Sequence, residues 1–287
     1  MQLDDGRESD SVEDRRGGGI GRGGLGIGTV LIALVASYFL GIDPSALLGV
    51  AEDVQRAGPT SGQSRPIDPR TDPEAAMVSE VKKVLALTED TWDALFKQAG
   101  AQYQRPHLVL FRGSTPTACG TGESAMGPFY CHGDQKVYLD LGFFNEMARR
   151  FHAGGDFARA YVIAHEIGHH VQHLTGITAK TDAMRSRLSK GDYNRVSVRV
   201  ELQADCYAGV WAHHANRSKP FLDPGDVEEA LTAANAIGDD TLQRQSRGVV
   251  VPDSFTHGSS AQRVRWFRAG FETGNIKTCN TFSARSL

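Results

Sequence analysis

The chain lacks a charge imbalance and lacks any long basic stripe: 31 Lys and Arg stand against 34 Asp and Glu, a net charge of −3 over 287 residues. This excludes the electrostatic footprint of a nucleic-acid partner, which needs Lys and Arg gathered on one face. Cysteine is scarce. The four present, Cys119, Cys131, Cys206 and Cys279, include no Cys-x-x-Cys pair, which argues against a zinc ribbon held by thiolates. Four separated cysteines agree instead with an oxidising compartment, and spacing leaves all three pairings open. No internal repeat is present, and the length suffices for one large or two ordinary domains with a real core.

Charge is missing altogether from one stretch, Gly24 to Ile42, nineteen residues without an ionisable side chain. That is about the length needed to cross a bilayer. It is longer than a secretory apolar region, follows some twenty polar residues, and has no clear Ala-x-Ala behind it, so a signal anchor fits better than a cleaved leader. Arg15, Arg16 and Arg22 precede it and Asp43, Glu52 and Asp53 follow. The positive-inside rule then places the N-terminus in the cytoplasm and the bulk of the chain outside it, periplasmic or otherwise extracytoplasmic, with the lipid bilayer a partner through one transmembrane helix. Residues 1–23 read as a disordered cytoplasmic tail, 24–42 as the anchor, 43–71 as a flexible linker and 72–287 as the folded domain.

Within that domain, Asp72-Pro73 reads as a helix start, and Thr88 as the cap of a second short helix ending at Gly100. His107–Phe111 reads as a strand, 113–127 as a Gly/Ser-rich loop, and Pro128–Cys131 with Lys136–Asp140 as a hairpin. Helices follow at about 142–152, 156–174, 195–217, 226–238 and 259–271. A small sheet followed by helices is an α+β pattern, mostly helical.

The chemistry gathers in Ala164-His165-Glu166-Ile167-Gly168-His169-His170. Four helical residues turn through about 400° and rise about 6 Å, so His165 and His169 share one face. That spacing lets two imidazoles reach one Zn²⁺, with Glu166 turned off that face to serve as general base in metal-assisted hydrolysis. The flanks, FARAYVIA before and Val171, Leu174 and Gly176 after, make the helix apolar and buried, where a His/Glu/His set needs partners. His170 and His173 lie on other faces and rank as rival ligands.

A catalytic zinc usually has three protein ligands and one open position. Glu201 and Asp205, four apart in RVELQAD, lie on a helix apolar nearly all round. Glu201 is the candidate third ligand. Asp205 is placed to accept a hydrogen bond from the outward nitrogen of His165 or His169. His257, in FTHGSS before the last helix, is a candidate to meet an oxyanion, and equally a surface histidine in a turn. His213 and His214 read as exposed helix residues.

The stretches ACGTGESAMGPFYCHGDQKVYLDLGFF, AHEIGHHVQHLTG, RVELQADCYAGVWA and FTHGSSAQRVRWF resemble the bacterial neutral zinc metallopeptidases, membrane-anchored peptidases with a zincin-type domain. The HExxH…ExxxD pairing resembles the wider gluzincin group. The resemblance implies a zincin-like fold and one Zn²⁺ per chain on His165, His169 and Glu201. It also implies Glu166 as base, Asp205 behind a ligand, and a peptide or protein as substrate. A membrane-tethered zinc domain without turnover is one alternative; a zinc amidase acting on cell-wall peptides is another. The strand at Pro128–Cys131 is expected to align an extended substrate by edge pairing. Expected disulfides are Cys119–Cys131, closing a short loop beside that strand, and Cys206–Cys279, tying the C-terminal tail to the Glu201 helix.

Overall fold

The computed structural model describes residues 1–17, 67–68 and 70–287. Its first long helix, α1 (Ala75–Gln98), buries Val81, Val84, Leu85 and Trp92 along one stripe. It is one helix where the sequence suggested two. Thr88 does not cap a new one; its hydroxyl donates to the Leu85 carbonyl at 2.7 Å, a bond back onto the preceding turn that a helix interior accommodates. Nor does Asp72 cap α1, whose N-cap is Glu74; the Asp72 carboxylate accepts from the Glu74 amide at 2.9 Å, just ahead of the helix.

The main sheet has the order β1-β2-β6-β5. The strands are β1 (Val12–Asp14), β2 (His107–Phe111), β5 (Phe129–Cys131) and β6 (Lys136–Asp140). The first three of that order run parallel; β5 is antiparallel to β6, with Phe129 opposite Tyr138. Leu108, Val109, Leu110 and Phe111 are all buried, the unbroken apolar run of a strand covered on both faces. The stretch expected to be loop contains a second hairpin, β3 (Ser114–Thr117) with β4 (Gly120–Glu123). Its polar, glycine-rich strands carry no alternation for a sequence reading to detect. The Cys119–Cys131 disulfide ties its turn to the edge strand β5.

The N-terminal tail departs from expectation. Residues 1–17 were expected to be disordered, yet β1 pairs with β2, Val12 opposite Leu108. Ser9 donates to Glu89 at 2.6 Å, and Arg7 bridges Glu89 at 2.8 Å and Asp90 at 2.6 Å. Strand pairing and ion pairs onto α1 order this segment, and neither registers in its own sparse apolar content. Residues 1–14 and 69–287 form one compact unit; the other, 15–68, lies almost wholly outside the described residues. A strand cannot pair with a sheet across a bilayer, so the expected cytoplasmic N-terminus with an extracytoplasmic domain does not hold. The 24–42 run and most of the 43–71 linker lie outside the described residues. Among the described residues, no helix is long and apolar enough to cross a membrane.

The helical part holds α2 (Gly142–Phe151), α3 (Asp156–Leu174), α4 (Ile177–Arg185), α5 (Lys190–Ser218), α6 (Asp226–Ala236), α7 (Asp239–Arg247) and α8 (Ser260–Thr273). α4 and α7 are short and polar, so no apolar period announced them. α5 starts five residues before the expected 195, where Ser189 caps it by accepting from the Asp192 amide at 3.2 Å. Two close helix crossings position the site. A Cβ on Gly168 would sit 3.0 Å from the Ala204 carbonyl, so glycine inside the His-Glu-x-x-His motif lets α5 approach α3. Gly209 and Gly270 do the same between α5 and α8, where a Cβ on either would overlap backbone of the facing helix. The Cys206–Cys279 disulfide fastens the tail to α5 beside that crossing.

Candidate metal centre

His165, His169 and Glu201 converge: a ligand atom from each lies within 4.8 Å of the other two. α3 supplies the histidines one turn apart and α5 supplies the carboxylate. Glu201 Oε2 is 3.2 Å from His165 Nε2, and Oε1 is 3.5 Å from His169 Nε2. The two Nδ1 atoms face away and are occupied. His165 Nδ1 meets Asp205 at 2.8 Å and His169 Nδ1 meets Gln172 Oε1 at 2.9 Å. Both acceptors hold a proton on Nδ1, which leaves the Nε2 lone pairs turned on the point that Glu201 faces.

Two lone pairs and a carboxylate aimed at one point repel unless a cation or protons lie between them, and the set of two imidazoles and one carboxylate suits Zn²⁺. The electrostatics agree. Burial opposes a charged His165, but the charge and hydrogen bond of Asp205, with Glu201 behind, raise its pKa to about 10. Against burial, His169 and His165 hold Glu201 well below the usual carboxylate range. The site holds positive charge strongly.

Behind His165 lies a buried ionic network. Asp205 is fully buried and also accepts from Tyr161 at 2.6 Å. Arg263 of α8 grips it with two bonds of 2.9 Å, Nε to Oδ2 and Nη2 to Oδ1. Burial disfavours the carboxylate, yet Arg263 and His165 bring its pKa down to about 2. Behind His169 the support is neutral. Gln172 donates to the Val200 carbonyl at 2.7 Å and to Gln203 at 3.1 Å, and Gln203 donates to the Cys279 carbonyl at 3.0 Å. Sequence reasoning missed Gln172, Gln203, Tyr161 and Arg263. Tyr161 and Gln172 stand four before His165 and three after His169, spacings that could have flagged them.

Glu166, His257 and Arg263 line the same cavity of about 950 Å³ as the three convergent residues. The Glu166 carboxylate takes no hydrogen bond from a described residue. His257 is about half exposed at the cavity wall, its Nδ1 3.3 Å from Asp239. The backbone amides of Thr256, His257 and Gly258 all donate to Asp239 Oδ2, at 2.7, 2.7 and 3.0 Å. That nest fixes the turn, and the Asp239 bond raises the His257 pKa against burial.

The rival His170 is not at the centre: its Nδ1 meets Tyr130 and its Nε2 the Gln104 carbonyl. His173 packs by Tyr130 and His132 instead. His213 and His214 are half-buried rather than exposed, meeting the carbonyls of Phe271 and Gly274 at 2.7 Å each, where α8 leaves acceptors unpaired. A second acidic group, Asp156, Asp226 and Glu229, already has the Met1 amino group 2.9 Å from Asp156 and 3.3 Å from Asp226.

A His-Glu-x-x-His helix facing a glutamate from a second helix defines a zinc-peptidase type of centre. The chain belongs to the family described as "Putative neutral zinc metallopeptidase", whose model matches residues 1–282. It is 50% identical over 289 residues, 96% of each chain, to "Uncharacterized protein YpfJ" of Escherichia coli (strain K12). It is also 44% identical over 211 residues, 70% of each chain, to "Uncharacterized protein Rv2575" of Mycobacterium tuberculosis (strain ATCC 25618 / H37Rv). No solved structure matches.

Proposed function

We propose that this protein hydrolyses peptide bonds with one zinc ion carried by His165, His169 and Glu201. The observation that carries the reading is the convergence of those three residues within 4.8 Å on a cavity that Glu166 also lines. A zinc ion there would acidify a water and polarise a peptide carbonyl. Glu166 takes the water's proton and passes it to the leaving amine. His257, held by Asp239 and favouring its charged form, donates to the carbonyl oxygen as negative charge develops on it. Asp205 and Gln172 keep each imidazole's Nε2 facing the centre, so no reorientation is needed on turnover. The open side of edge strand β5 receives an extended peptide by main-chain pairing.

Two disulfides favour action in an oxidising, extracytoplasmic compartment. The uncharged 24–42 run offers attachment to a bilayer from the side on which residues 1–14 and the domain both lie. A zinc domain without turnover would have no use for a carboxylate beside the ligands that takes no hydrogen bond from a described residue.

The test is Glu166→Gln. Peptide cleavage should fall by at least about 10²-fold, the scale of a lost general base, while zinc content stays at one per chain. Cleavage undiminished in that variant would remove the assignment. Muropeptides run beside linear peptides separate a general peptidase from a cell-wall amidase.

A further inference from the structure

Each of the three residues of edge strand β5 has its own anchor. Phe129 stacks on Tyr138 of β6 at 5.0 Å between ring centroids. Cys131 is buried and bonded to Cys119. Tyr130, between them, leaves the sheet: its hydroxyl lies 3.0 Å from His170 Nδ1, on the metal-centre helix α3. The direction of that bond follows from the other end of the imidazole. His170 Nε2 lies 2.5 Å from the Gln104 carbonyl, which can only accept. The proton of the neutral ring is therefore on Nε2, Nδ1 carries a lone pair, and Tyr130 donates. His170 is fully buried, and its ring packs edge-on against both Tyr103 and Tyr130, at 5.7 and 5.4 Å. It has no room to turn and a single hydrogen-bonding pattern.

We propose that Tyr130 and His170 are positioning residues for the substrate strand, a strut that sets the distance from β5 to the metal centre. The proposal rests on the peptidase reading in one respect, that a peptide pairs along β5. His170 follows the ligand His169 directly in a rigid helix, so the path from a metal-facing nitrogen to the strand passes through one residue and one hydrogen bond. A strand of three residues with one free edge is a weak template, because each main-chain bond to substrate replaces a bond to water. Holding the template still beforehand removes an ordering cost from binding. The lone extra histidine of His-Glu-x-x-His-His thus acts on substrate placement without touching metal or substrate.

The experiment uses Tyr130→Phe, His170→Phe and the double variant in the full chain. Tyr130→Phe keeps the ring and removes the donor; His170→Phe keeps a buried aromatic ring and removes the acceptor, together with the donor to Gln104. Hydrogen exchange over the segment 128–140 should quicken by roughly five-fold in each single variant, the scale of one hydrogen bond, with α3 unchanged and zinc at one per chain. The double variant should exchange no faster than the quicker single one. For an extended peptide, KM should rise several-fold with kcat within about two-fold, and the rise should shrink for a dipeptide too short to pair with β5. Unchanged exchange in both single variants, or fully additive effects in the double, overturns the strut. The exchange arm reads the strut even if no peptide is cleaved, so failure of the peptidase reading is distinguishable from failure of this one.

Discussion

The two histidines of the metal centre are supported in opposite ways. His165 backs onto charge: Asp205, itself clamped by Arg263 and Tyr161, all buried. His169 backs onto a neutral relay of amides, Gln172 to Gln203 to the Cys279 carbonyl. A carboxylate behind an imidazole makes it a more basic ligand; an amide fixes its tautomer without adding charge. With Glu201 in front, a second carboxylate behind would bury one more negative charge, which is costly in the interior. One charged and one neutral support give two oriented rings at the cost of a single extra negative charge, which Arg263 neutralises. The halves are also fastened differently: the charged one by a helix crossing that Gly209 and Gly270 permit, the neutral one by the tail that the Cys206–Cys279 disulfide holds.

Removing the group both halves face should have the largest effect. Glu201→Ala should abolish stoichiometric zinc and activity together, because two imidazoles hold the metal poorly; metal analysis after dialysis at low free zinc reads this. Full zinc retention would put the third ligand elsewhere.

The halves should separate in stability. Arg263→Met strands the Asp205 carboxylate in the interior and should cost about 3–5 kcal/mol by urea unfolding. Gln203→Met leaves one buried amide of Gln172 short of a partner and should cost about 1–3 kcal/mol. Equal losses would erase the contrast between the two supports.

Zinc affinity should separate them more finely. Asp205→Ala should weaken binding towards the upper end of the 10–100-fold range usual for such partners, and Gln172→Ala towards the lower end. Competition with a fluorescent chelator measures both.

The smallest difference is in pH response. The Asp205 pKa is lowered in the fold to about 2 from its ordinary value of 3.8, so its contribution is fully present above about pH 4. It is lost as pH falls through about 2. Asp205→Asn should flatten the acid limb of the stability profile, whereas Gln172→Ala should shift the whole profile without changing its slope there.

Much of this centre was legible because helical spacing is local. His165 with His169, and Glu201 with Asp205, fall on common faces whatever surrounds them. The apolar flanks of both helices announced burial, and with it a need for partners. Gln203 and Arg263 were not legible, since an amide or guanidinium on a helix reads as a solvent-facing residue until another element covers it. The β3–β4 hairpin and the short α7 escaped for the related reason that neither carries an apolar period. The N-terminal strand escaped because its partners, Leu108 and Glu89, are some 80 to 100 residues away in sequence.

By itself the sequence determined which side chains share a helical face, the two imidazoles with a carboxylate beside them, and the chain's separable charge-free run. Only the tertiary structure decided that Asp205 serves His165 while Gln172 serves His169, that His170 is committed to Tyr130, and that residues 1–14 belong to the domain. The physical reason is range. Periodicity along a helix fixes direction within about one turn, but hydrogen-bond partners are set to within tenths of an ångström by how closely two helices cross. Here that closeness depends on glycines such as Gly168, which spares the Ala204 backbone a Cβ at 3.0 Å.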